Sequence, residues 1–265
     1  MRKYTNYISI MASLFVLLFG CQTTSSDVEL FTLRIEKSLP QSQLEYFSDS
    51  FDTFQEGLWE KVPVHMPKTV KEGDFRLGDI SIDKGKLKIS TKPDCFSKVA
   101  IVSKFTLRGD FDIQIDCDTD FMEGKLDRDH YLFFINLHKV KELAKRTIVG
   151  ISFFKKGENN PGVFRSGLWS HRRFHGQKRL ELDRFHGSVR FVKVGQKIST
   201  LFKTGGELKW KEMATFPCAT EDFKIVIGLQ NFIGRKSLTP AKSSISAMVD
   251  NFKINAAENI IEEEI

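Results

Sequence analysis

The stretch Asp110-Phe111-Asp112-Ile113-Gln114-Ile115-Asp116-Cys117-Asp118 alternates polar and apolar residues without a break. Such alternation is typical of a half-buried β-strand, because successive side chains of a strand point to opposite faces of its sheet. We therefore expect one face of this strand to lie in a core and the other to carry its four aspartates. The pattern does not fit an amphipathic helix, in which apolar residues recur every three or four positions.

Similar runs extend along the chain on both sides of this strand. They are bounded by Gly, Asp, Asn and Pro, which favour turns between strands. The runs cover residues 80–91, 98–107, 130–138, 147–155, 163–174, 188–204, 210–216, 223–232 and 244–254. Only residues 140–146 suggest a short helix. About ten short strands with almost no helix predict an all-β fold, an antiparallel β-sandwich of two packed sheets.

The composition fits a folded chain with a sizeable core. Of the 265 residues, 41% are hydrophobic, and the 24 phenylalanines favour pleated strands. A single sandwich domain over residues 48–255 is the simplest organisation. The segment 21–47, rich in Ser, Thr and Gln, is interpreted as a tether with one added strand at 28–35. Residues 256–265 are interpreted as an acidic, frayed C-terminal tail.

The positive charge of the chain is modest. The formal net charge is +6, and two of the basic residues, Arg2 and Lys3, lie at the N-terminus. One basic cluster stands out, formed by Arg172, Arg173, Lys178, Arg179 and Arg184. A nucleic-acid-binding protein is expected to concentrate a larger basic patch. We interpret the cluster as a solvated edge and expect no nucleic-acid partner.

The first 21 residues have the order of an export signal. Basic residues at positions 2 and 3 precede an apolar run over 8–19, which is too short to span a bilayer as a helix, and then Gly20-Cys21. The tetrapeptide Leu18-Phe19-Gly20-Cys21 resembles the lipobox of bacterial lipoproteins. The resemblance implies removal of a signal peptide at 1–20 and acylation of Cys21, with palmitate among the acyl chains. The alternative is a plain secretory signal that happens to contain a cysteine.

This anchor sets the expected location and the state of the other cysteines. The lipid would fix the exported protein to the cell envelope. Gln22 after the cysteine implies the outer membrane in a Gram-negative host. The remaining Cys95, Cys117 and Cys218 are an odd number, so at most one disulfide can form. Their spacing gives no zinc-site pattern, and we expect buried free thiols.

Several segments of the body share the features of one superfamily. They are Phe51-Asp52 followed by Trp59, residues 85–89, residues 103–112 with their Gly-Asp-Phe turn, residues 189–199 followed by Trp210, and residues 249–254. Together they resemble the concanavalin A-like lectin and glucanase superfamily, including its laminin-G-like members. The resemblance implies a jelly-roll β-sandwich. Fold alone does not fix function, so function has to be argued from a site.

The sequence carries no recognisable catalytic motif. Glycosidases of this superfamily place two carboxylates on one strand in a Glu-x-Asp-x-x-Glu pattern, so that they flank the glycosidic oxygen about 5 Å apart. That pattern is absent, as are a Gly-x-Ser-x-Gly turn, a phosphate-binding glycine loop and an HExxH helix. Asp112 and Asp116 are weak candidates for a substitute. A solvent-exposed strand surface is the simpler interpretation of these aspartates.

Carbohydrate binding requires fewer features than catalysis, namely an aromatic side chain on which a sugar ring can stack and planar polar groups for its hydroxyls. If the apolar residues of 163–174 point inward, the opposite face of that strand displays an aromatic and two basic side chains. The outward positions of 130–138 add an amide and an imidazole. The predicted ligand contacts are Trp169, Arg165, His171, Asn136 and His138. The alternative for Trp169 is a place in the core, which is common for a single tryptophan.

A structural calcium ion is a further expectation. By the resemblance, Asp250 matches an aspartate of the closing strand that binds calcium near the opening strand. Asp52 or Asp49 would approach it, and backbone carbonyls would complete the oxygen ligands that calcium prefers. The alternative is an aspartate that caps a turn at the end of a strand.

Taken together, these patterns predict a membrane-anchored, extracytoplasmic lipoprotein that binds a glycan or polysaccharide. Two alternatives stay open. One is a polysaccharide hydrolase or lyase with a nonstandard active site, and the other is a protein-binding adhesion or structural module.

Overall fold

The computed structural model describes residues 35–62, 72–119, 130–140, 148–156, 162–170, 173–182, 184–218, 222–232 and 240–262. Within these residues the chain forms fifteen β-strands, one α-helix and one 3-10 turn. Nearly all neighbouring strands are antiparallel, and the predicted all-β class is confirmed. None of the helical residues described forms a segment long and apolar enough to cross a membrane.

The helix α1 spans Gln41–Tyr46, and the 3-10 turn spans Glu72–Asp74. The strands are β1 (Trp59–Lys61), β2 (Phe75–Leu77), β3 (Asp79–Asp83), β4 (Lys86–Ser90), β5 (Phe96–Ser103), β6 (Phe105–Asp118), β7 (His130–Lys139), β8 (Ile148–Lys156), β9 (Val163–Ser170), β10 (Arg173–Glu181), β11 (His186–Val194), β12 (Lys197–Thr204), β13 (Lys211–Pro217), β14 (Phe223–Gln230) and β15 (Ser246–Glu262).

The strands form two layers. Sheet I has the order β13-β12-β11-β6-β15-β4-β3. Sheet II has the order β10-β9-β8-β7-β14-β5, and both β1 and β2 pair with β5. The pairing of β2 with β5 is parallel. The two sheets are joined by one pair of residues, Phe223 of β14 and Leu107 of β6.

The strand from which the fold was predicted lies in the middle of sheet I. In β6, Phe111, Ile113 and Ile115 are fully buried and face the core, as their alternation predicts. Cys117 continues this face and is also buried. The strand begins earlier than expected, at Phe105, because pairing with β15 resumes at Arg108 beyond a bulge at Gly109 and Asp110.

Aromatic packing holds the two sheets together. The ring of Phe164 on β9 stacks on that of Phe185 at a centroid distance of 4.4 Å, and it meets the edge of Phe202 on β12 at 5.4 Å. Beside them, the hydroxyls of Ser166 and Thr200 share a hydrogen bond of 2.7 Å across the layers. Rings of this size fill the space between sheets, which accounts for the high phenylalanine content.

Two of the predicted runs contain a hairpin. Residues 80–91 divide into β3 and β4 around Lys84 and Gly85, whose φ angles are +53° and +72°. Residues 188–204 divide into β11 and β12 at Gly195, with φ of +56°. Such positive φ angles are typical of two-residue hairpin turns, which continue the alternation with little polar interruption. The strands are therefore more numerous than the runs.

The folded body is longer at both ends than predicted. Helix α1 buries Leu44, and Phe47 packs on Phe105 at 5.2 Å. At the other end β15 continues to Glu262, with Ala257 fully buried beside β6. These contacts correct the boundaries at 48 and 255, and residues 256–262 are strand and not a frayed tail. Of the predicted added strand at 28–35 only Ile35 is described, and the predicted helix at 140–146 lies outside the described residues after Val140.

The three described cysteines are buried thiols that form no disulfide, as expected. Burial raises the pKa of the Cys117 thiol strongly, and the carboxylates of Asp116 and Asp118 add to the effect. A thiol of this kind is chemically inert in the folded protein.

Candidate functional site

The predicted glycan contacts lie on adjacent strands of sheet II. Strand β7 pairs with β8, and β8 pairs with β9. Asn136 and His138 on β7, and Arg165 and Trp169 on β9, alternate with buried core residues and so face away from the core. The structure thus brings four of the five predicted residues onto one surface. The fifth, His171, lies outside the described residues.

The strand register arranges this surface in three rows. The rows are His138, Ile148 and Trp169; Asn136, Gly150 and Gly167; and Phe134, Ser152 and Arg165. We call these nine residues the β7–β9 face. Directly paired residues of adjacent strands are about 5 Å apart and share a side of the sheet. Trp169 and Arg165 therefore lie on either side of the central row, which Asn136 ends, and His138 ends the row of Trp169.

Trp169 supplies an aromatic plate at the surface. The side chain is 47% exposed, whereas Trp59 is 1% exposed and packs in the core. The third tryptophan, Trp210, is partly buried on sheet I between Arg190 and Lys203, whose cationic groups lie 5.4 and 4.9 Å from its ring. The interpretation of Trp169 as a core residue is therefore wrong. Among the three tryptophans it is the one that can stack on a ligand.

The two glycines of the central row carry no side chains. A Cβ atom on Gly150 would overlap Oδ1 of Asn136, so the Asn136 amide lies against the Gly150 backbone. Gly167 sits opposite Gly150 on β9 and is buried. The Asn136 amide thus occupies the space beside Gly150 in the middle of the face.

Arg165 lies at the opposite end of the β7–β9 face from Trp169. Its Nε–H donates to Oγ of Ser152 at 2.9 Å, and its guanidinium lies 5.7 Å from the centre of the Phe154 ring. Burial lowers the pKa of Arg165, and the positive charge of Arg179 lowers it further. The guanidinium still stays ionised, because the ordinary pKa of arginine is far above neutrality. A partly desolvated cation therefore lies at this end of the face, beside Ser152 and Phe154.

An apolar cluster borders the face on the side of β14 and β5. Phe134, Ala100 and Val226 are all buried, although they lie on the side of sheet II that points away from the main core. The Phe134 ring lies against Gly228, where a Cβ atom would overlap it. The cluster limits the open part of the face to the region from Asn136 to Trp169.

The weak catalytic candidates lie on the opposite sheet. Asp112 is fully buried, and Arg190 binds both of its carboxylate oxygens, with Nε 2.7 Å from Oδ1. Asn255 donates a third hydrogen bond, at 3.1 Å. Asp112 thus balances a buried cation in sheet I and does not reach the β7–β9 face.

Asp116 lines a pocket of about 290 Å³ on the outer surface of sheet I. Its two carboxylate oxygens accept hydrogen bonds from Oγ of Ser188 at 2.6 Å and from Nδ2 of Asn251 at 3.1 Å. In the same pocket Nδ1 of His186 lies 3.0 Å from Oδ2 of Asp118. Each of these carboxylates has a polar partner within the protein. The core of the sandwich separates this pocket from Trp169 and Arg165.

The residues expected to bind calcium do not fit that ion. The ammonium group of Lys86 lies 3.4 Å from Oδ2 of Asp250, where its positive charge would repel a calcium ion. Asp52 accepts a hydrogen bond from Ser50 at 2.7 Å, and Asp49 is buried with three donors of its own. Within the described part of the chain no three His, Cys, Asp or Glu side chains are close enough to share a metal ion.

Comparison with known proteins identifies the architecture. No family model matches the sequence, and no curated protein sequence matches it significantly. Among solved structures, a β-1,3-1,4-glucanase (lichenase) from a mouse hindgut metagenome matches 78% of this chain and 97% of its own, with a TM-score of 0.57 and 14% identity. A glycoside hydrolase family 16 endo-glucanase from Bacteroides ovatus matches 79% of this chain and 99% of its own, with a TM-score of 0.55 and 12% identity.

A third solved structure is a pseudo β-1,3-glucanase of Mycobacterium tuberculosis. It matches 82% of this chain and 98% of its own, with a TM-score of 0.56 and 9% identity. This chain has the jelly-roll fold. At these identities the similarity establishes the fold alone, and it confirms the predicted concanavalin A-like β-sandwich.

Sequence reasoning missed part of the site on this jelly roll. Gly150 and Ser152 lie on the β7–β9 face, and the alternation of the run 147–155 would have placed both on one side of their strand. Arg179 lies next to Arg165, but only the pairing of β9 with β10 reveals this. Nothing in the sequence fixes that register.

Proposed function

We propose that this protein binds a glycan or polysaccharide through the β7–β9 face. The observation that carries the proposal is the arrangement of an exposed indole, an amide and a guanidinium around two glycines on one sheet of a jelly roll. A sugar ring would pack its apolar side on Trp169. Hydroxyls of the glycan would exchange hydrogen bonds with Asn136, and those of a neighbouring ring would accept hydrogen bonds from Arg165.

The similarity to glucanases supports a carbohydrate ligand, and the composition of the face supports binding over hydrolysis. Glycoside hydrolysis generally needs a pair of carboxylates on either side of the bond. Strands β7 to β10 contain a single carboxylate, Glu181, at the far end of β10. The solved neighbours include both glucanases and a protein described as a pseudo β-1,3-glucanase.

The test is binding to a glycan array with wild type, Trp169→Ala and Leu208→Ala. Leu208 is a matched control, because it is a large apolar residue, 94% exposed, in the connection between β12 and β13. We expect Trp169→Ala to weaken binding about tenfold or more, equivalent to about 1.4 kcal/mol. Leu208→Ala should bind as wild type. Undiminished binding by Trp169→Ala would refute the proposed face.

The hydrolase alternative has its own test. Wild type is incubated with a panel of polysaccharides and reducing-sugar release is measured. We expect no release. Release that is lost in Asp116→Asn, in a protein with an unchanged circular dichroism spectrum, would instead place catalysis in the pocket of sheet I. A protein-binding module would bind no glycan on the array at all.

We also propose that the protein is held at the cell envelope by a lipid on Cys21. The proposal rests on the order of the first 21 residues, and each buried methylene of an acyl chain contributes about 0.8 kcal/mol to membrane binding. Cells labelled with palmitate should give a labelled wild-type protein that lacks residues 1–20. The variant Cys21→Ser should carry no label. An unlabelled wild type would contradict the anchor.

A further inference from the structure

Two arginines lie directly opposite each other at the edge of sheet II. Arg165 of β9 pairs with Arg179 of β10, and paired residues of antiparallel strands share a side of the sheet, with Cβ atoms about 5 Å apart. The neighbours of Arg165 along its strand, Phe164 and Ser166, are buried. Both arginines therefore project from the outer side of the sheet. Like charges in this position repel each other and destabilise the pair of strands.

Within the described residues, no carboxylate pairs with either arginine to offset this repulsion. The side chain of Arg165 contacts Ser152 and Phe154, and the burial and positive neighbour that lower its pKa are not balanced by an acid. Neither arginine takes part in an ion pair with any residue that the structure describes. Glu181 lies on the same side of β10, two residues from Arg179, and is exposed without an ion pair.

The positive charge of the chain is concentrated around this pair. Strands β7 to β10 contain seven lysines and arginines and one carboxylate. The basic residues are Lys139, Lys155, Lys156, Arg165, Arg173, Lys178 and Arg179. These four strands thus carry the same net charge, +6, as the whole chain. In sheet I the aspartates of β6 have cationic partners, since Arg190 pairs with Asp112 and Lys193 pairs with Asp110. The unbalanced positive charge therefore lies on β7 to β10.

We infer that the ligand of the β7–β9 face is an acidic polysaccharide, and that its carboxylate or sulfate groups bind between Arg165 and Arg179. This inference rests on the proposed function. The planar guanidinium group donates paired N–H bonds that match carboxylate and sulfate oxygens. An anion between the arginines would remove their repulsion, and the partial burial of Arg165 strengthens the attraction. A neutral glycan would leave both cations uncompensated.

The spacing of the site sets the length of the ligand. Trp169 lies four residues from Arg165 on the same side of β9, which corresponds to about 13 Å along the strand. This separation exceeds one sugar ring. A ligand that stacks on Trp169 and places an acidic group at Arg165 must therefore be an oligosaccharide whose chain runs along β9.

Single-stranded nucleic acid is another polyanion, and the face suits it less well. Proteins that bind it stack successive bases on several aromatic side chains. On the β7–β9 face Trp169 is exposed, whereas the other ring, that of Phe134, is buried against Gly228. One exposed aromatic plate and a pair of arginines fit a saccharide chain with acidic groups better than a run of bases.

The test measures binding of the full chain, purified in detergent, to four polymers by titration calorimetry. Polygalacturonate and dextran sulfate carry carboxylate and sulfate groups, lichenan is a neutral β-glucan, and oligo-dT is a nucleic acid. We expect binding to one or both acidic polysaccharides that weakens as the salt concentration rises. Arg179→Gln should weaken it about tenfold. The control Lys197→Gln, which removes one exposed charge from sheet I, should leave it unchanged.

The outcomes separate this inference from the proposed function. Equal binding to lichenan and the acidic polymers, unaffected by Arg179→Gln, would overturn the inference but leave glycan binding intact. No binding to any of the three polysaccharides would overturn both. Tighter binding to oligo-dT than to the acidic polysaccharides would identify the face as a nucleic-acid site and overturn the inference. Loss of binding to the acidic polysaccharides in a folded Arg165→Gln variant would support the inference independently of Arg179.

Discussion

The indole Nε1–H of Trp59 donates a hydrogen bond of 2.9 Å to Oδ2 of Asp49, and both residues are at most 2% exposed. Oδ1 of Asp49 accepts two more, from the backbone N–H of Phe51 at 2.8 Å and from Nε2 of Gln55 at 3.0 Å. Asp49 also forms a β-bridge with Phe252. One buried carboxylate thus fixes the segment before β1 against the strand that closes the sandwich.

Replacement of Asp49 by alanine should therefore destabilise the fold. The change leaves the indole N–H of Trp59 and the amide N–H of Phe51 without acceptors, and an unsatisfied buried donor costs about 1–3 kcal/mol. We expect Asp49→Ala to lose about 2 kcal/mol or more in the free energy of unfolding, measured by urea denaturation. Asp52→Ala, at an exposed position, serves as the control. Equal stability of the two variants would show that the hydrogen bonds contribute nothing.

The same carboxylate should give the stability a defined pH dependence. Burial raises the pKa of Asp49 above its ordinary value of 3.8, and the hydrogen bonds from Phe51, Trp59 and Gln55 oppose this only in part. The folded state therefore binds the carboxyl proton of Asp49 more tightly than the unfolded state does. The contribution of Asp49 to the free energy of unfolding is fully present below pH 3.8, and it is lost as the pH rises through the pKa of Asp49 in the folded protein.

The measurement compares wild type with Asp49→Asn, whose side chain does not titrate. The free energy of unfolding of wild type, relative to that of Asp49→Asn, should fall as the pH increases from 3.8. A relative stability that rises over this range would mean that the pKa of Asp49 is lowered in the folded protein.

Removal of one partner of the Asp112–Arg190 ion pair should lower the free energy of unfolding strongly, whereas replacement of both partners by apolar residues should lower it less. Asp112 is fully buried and Arg190 is 7% exposed, so deletion of either partner leaves an uncompensated charge. We expect Asp112→Ala to cost about 3–5 kcal/mol. The double variant Asp112→Leu with Arg190→Met should cost less than either single change. A double-mutant cycle by chemical denaturation measures this, and simple additivity would contradict it.

The glycine at the centre of the β7–β9 face should matter for ligand binding more than for stability. In Gly150→Ala the new methyl group displaces the Asn136 amide, the flexible end of a side chain, so the unfolding free energy should change by less than about 1 kcal/mol. Glycan affinity should fall several-fold as the amide moves. Gly57→Ala, where no atom lies within 4 Å of the added carbon, is the control. Unaltered affinity in Gly150→Ala would exclude Asn136 from the site.

The sheet-forming residues could be predicted because alternation is a local property. Ile113 and Ile115 face the core, and Trp169 and Arg165 share a side of their strand, as period two requires. The same reasoning placed Asn136 and His138 on the outer side of β7. The face of each residue thus followed from its own strand.

Relationships between distant segments could not be predicted. The register that places Arg179 beside Arg165, and the pairing of Arg190 with Asp112, depend on how strands meet in space. The strand at 256–262 was missed for a related reason. Bulges between Asp250 and Lys253, Ile254 and Ala256, and Ala257 and Asn259 shift its alternation, so a continuous strand resembles an irregular tail.

The position of β15 has a consequence for the order of events during biosynthesis. Its residues lie between β6 and β4 in the interior of sheet I, not at an edge. Until residues 246–262 have been translated, the two halves of that sheet have no strand to join them. Sheet I can therefore close only after residues 246–262 have been synthesised, because β4 and β6 have no shared neighbour before then.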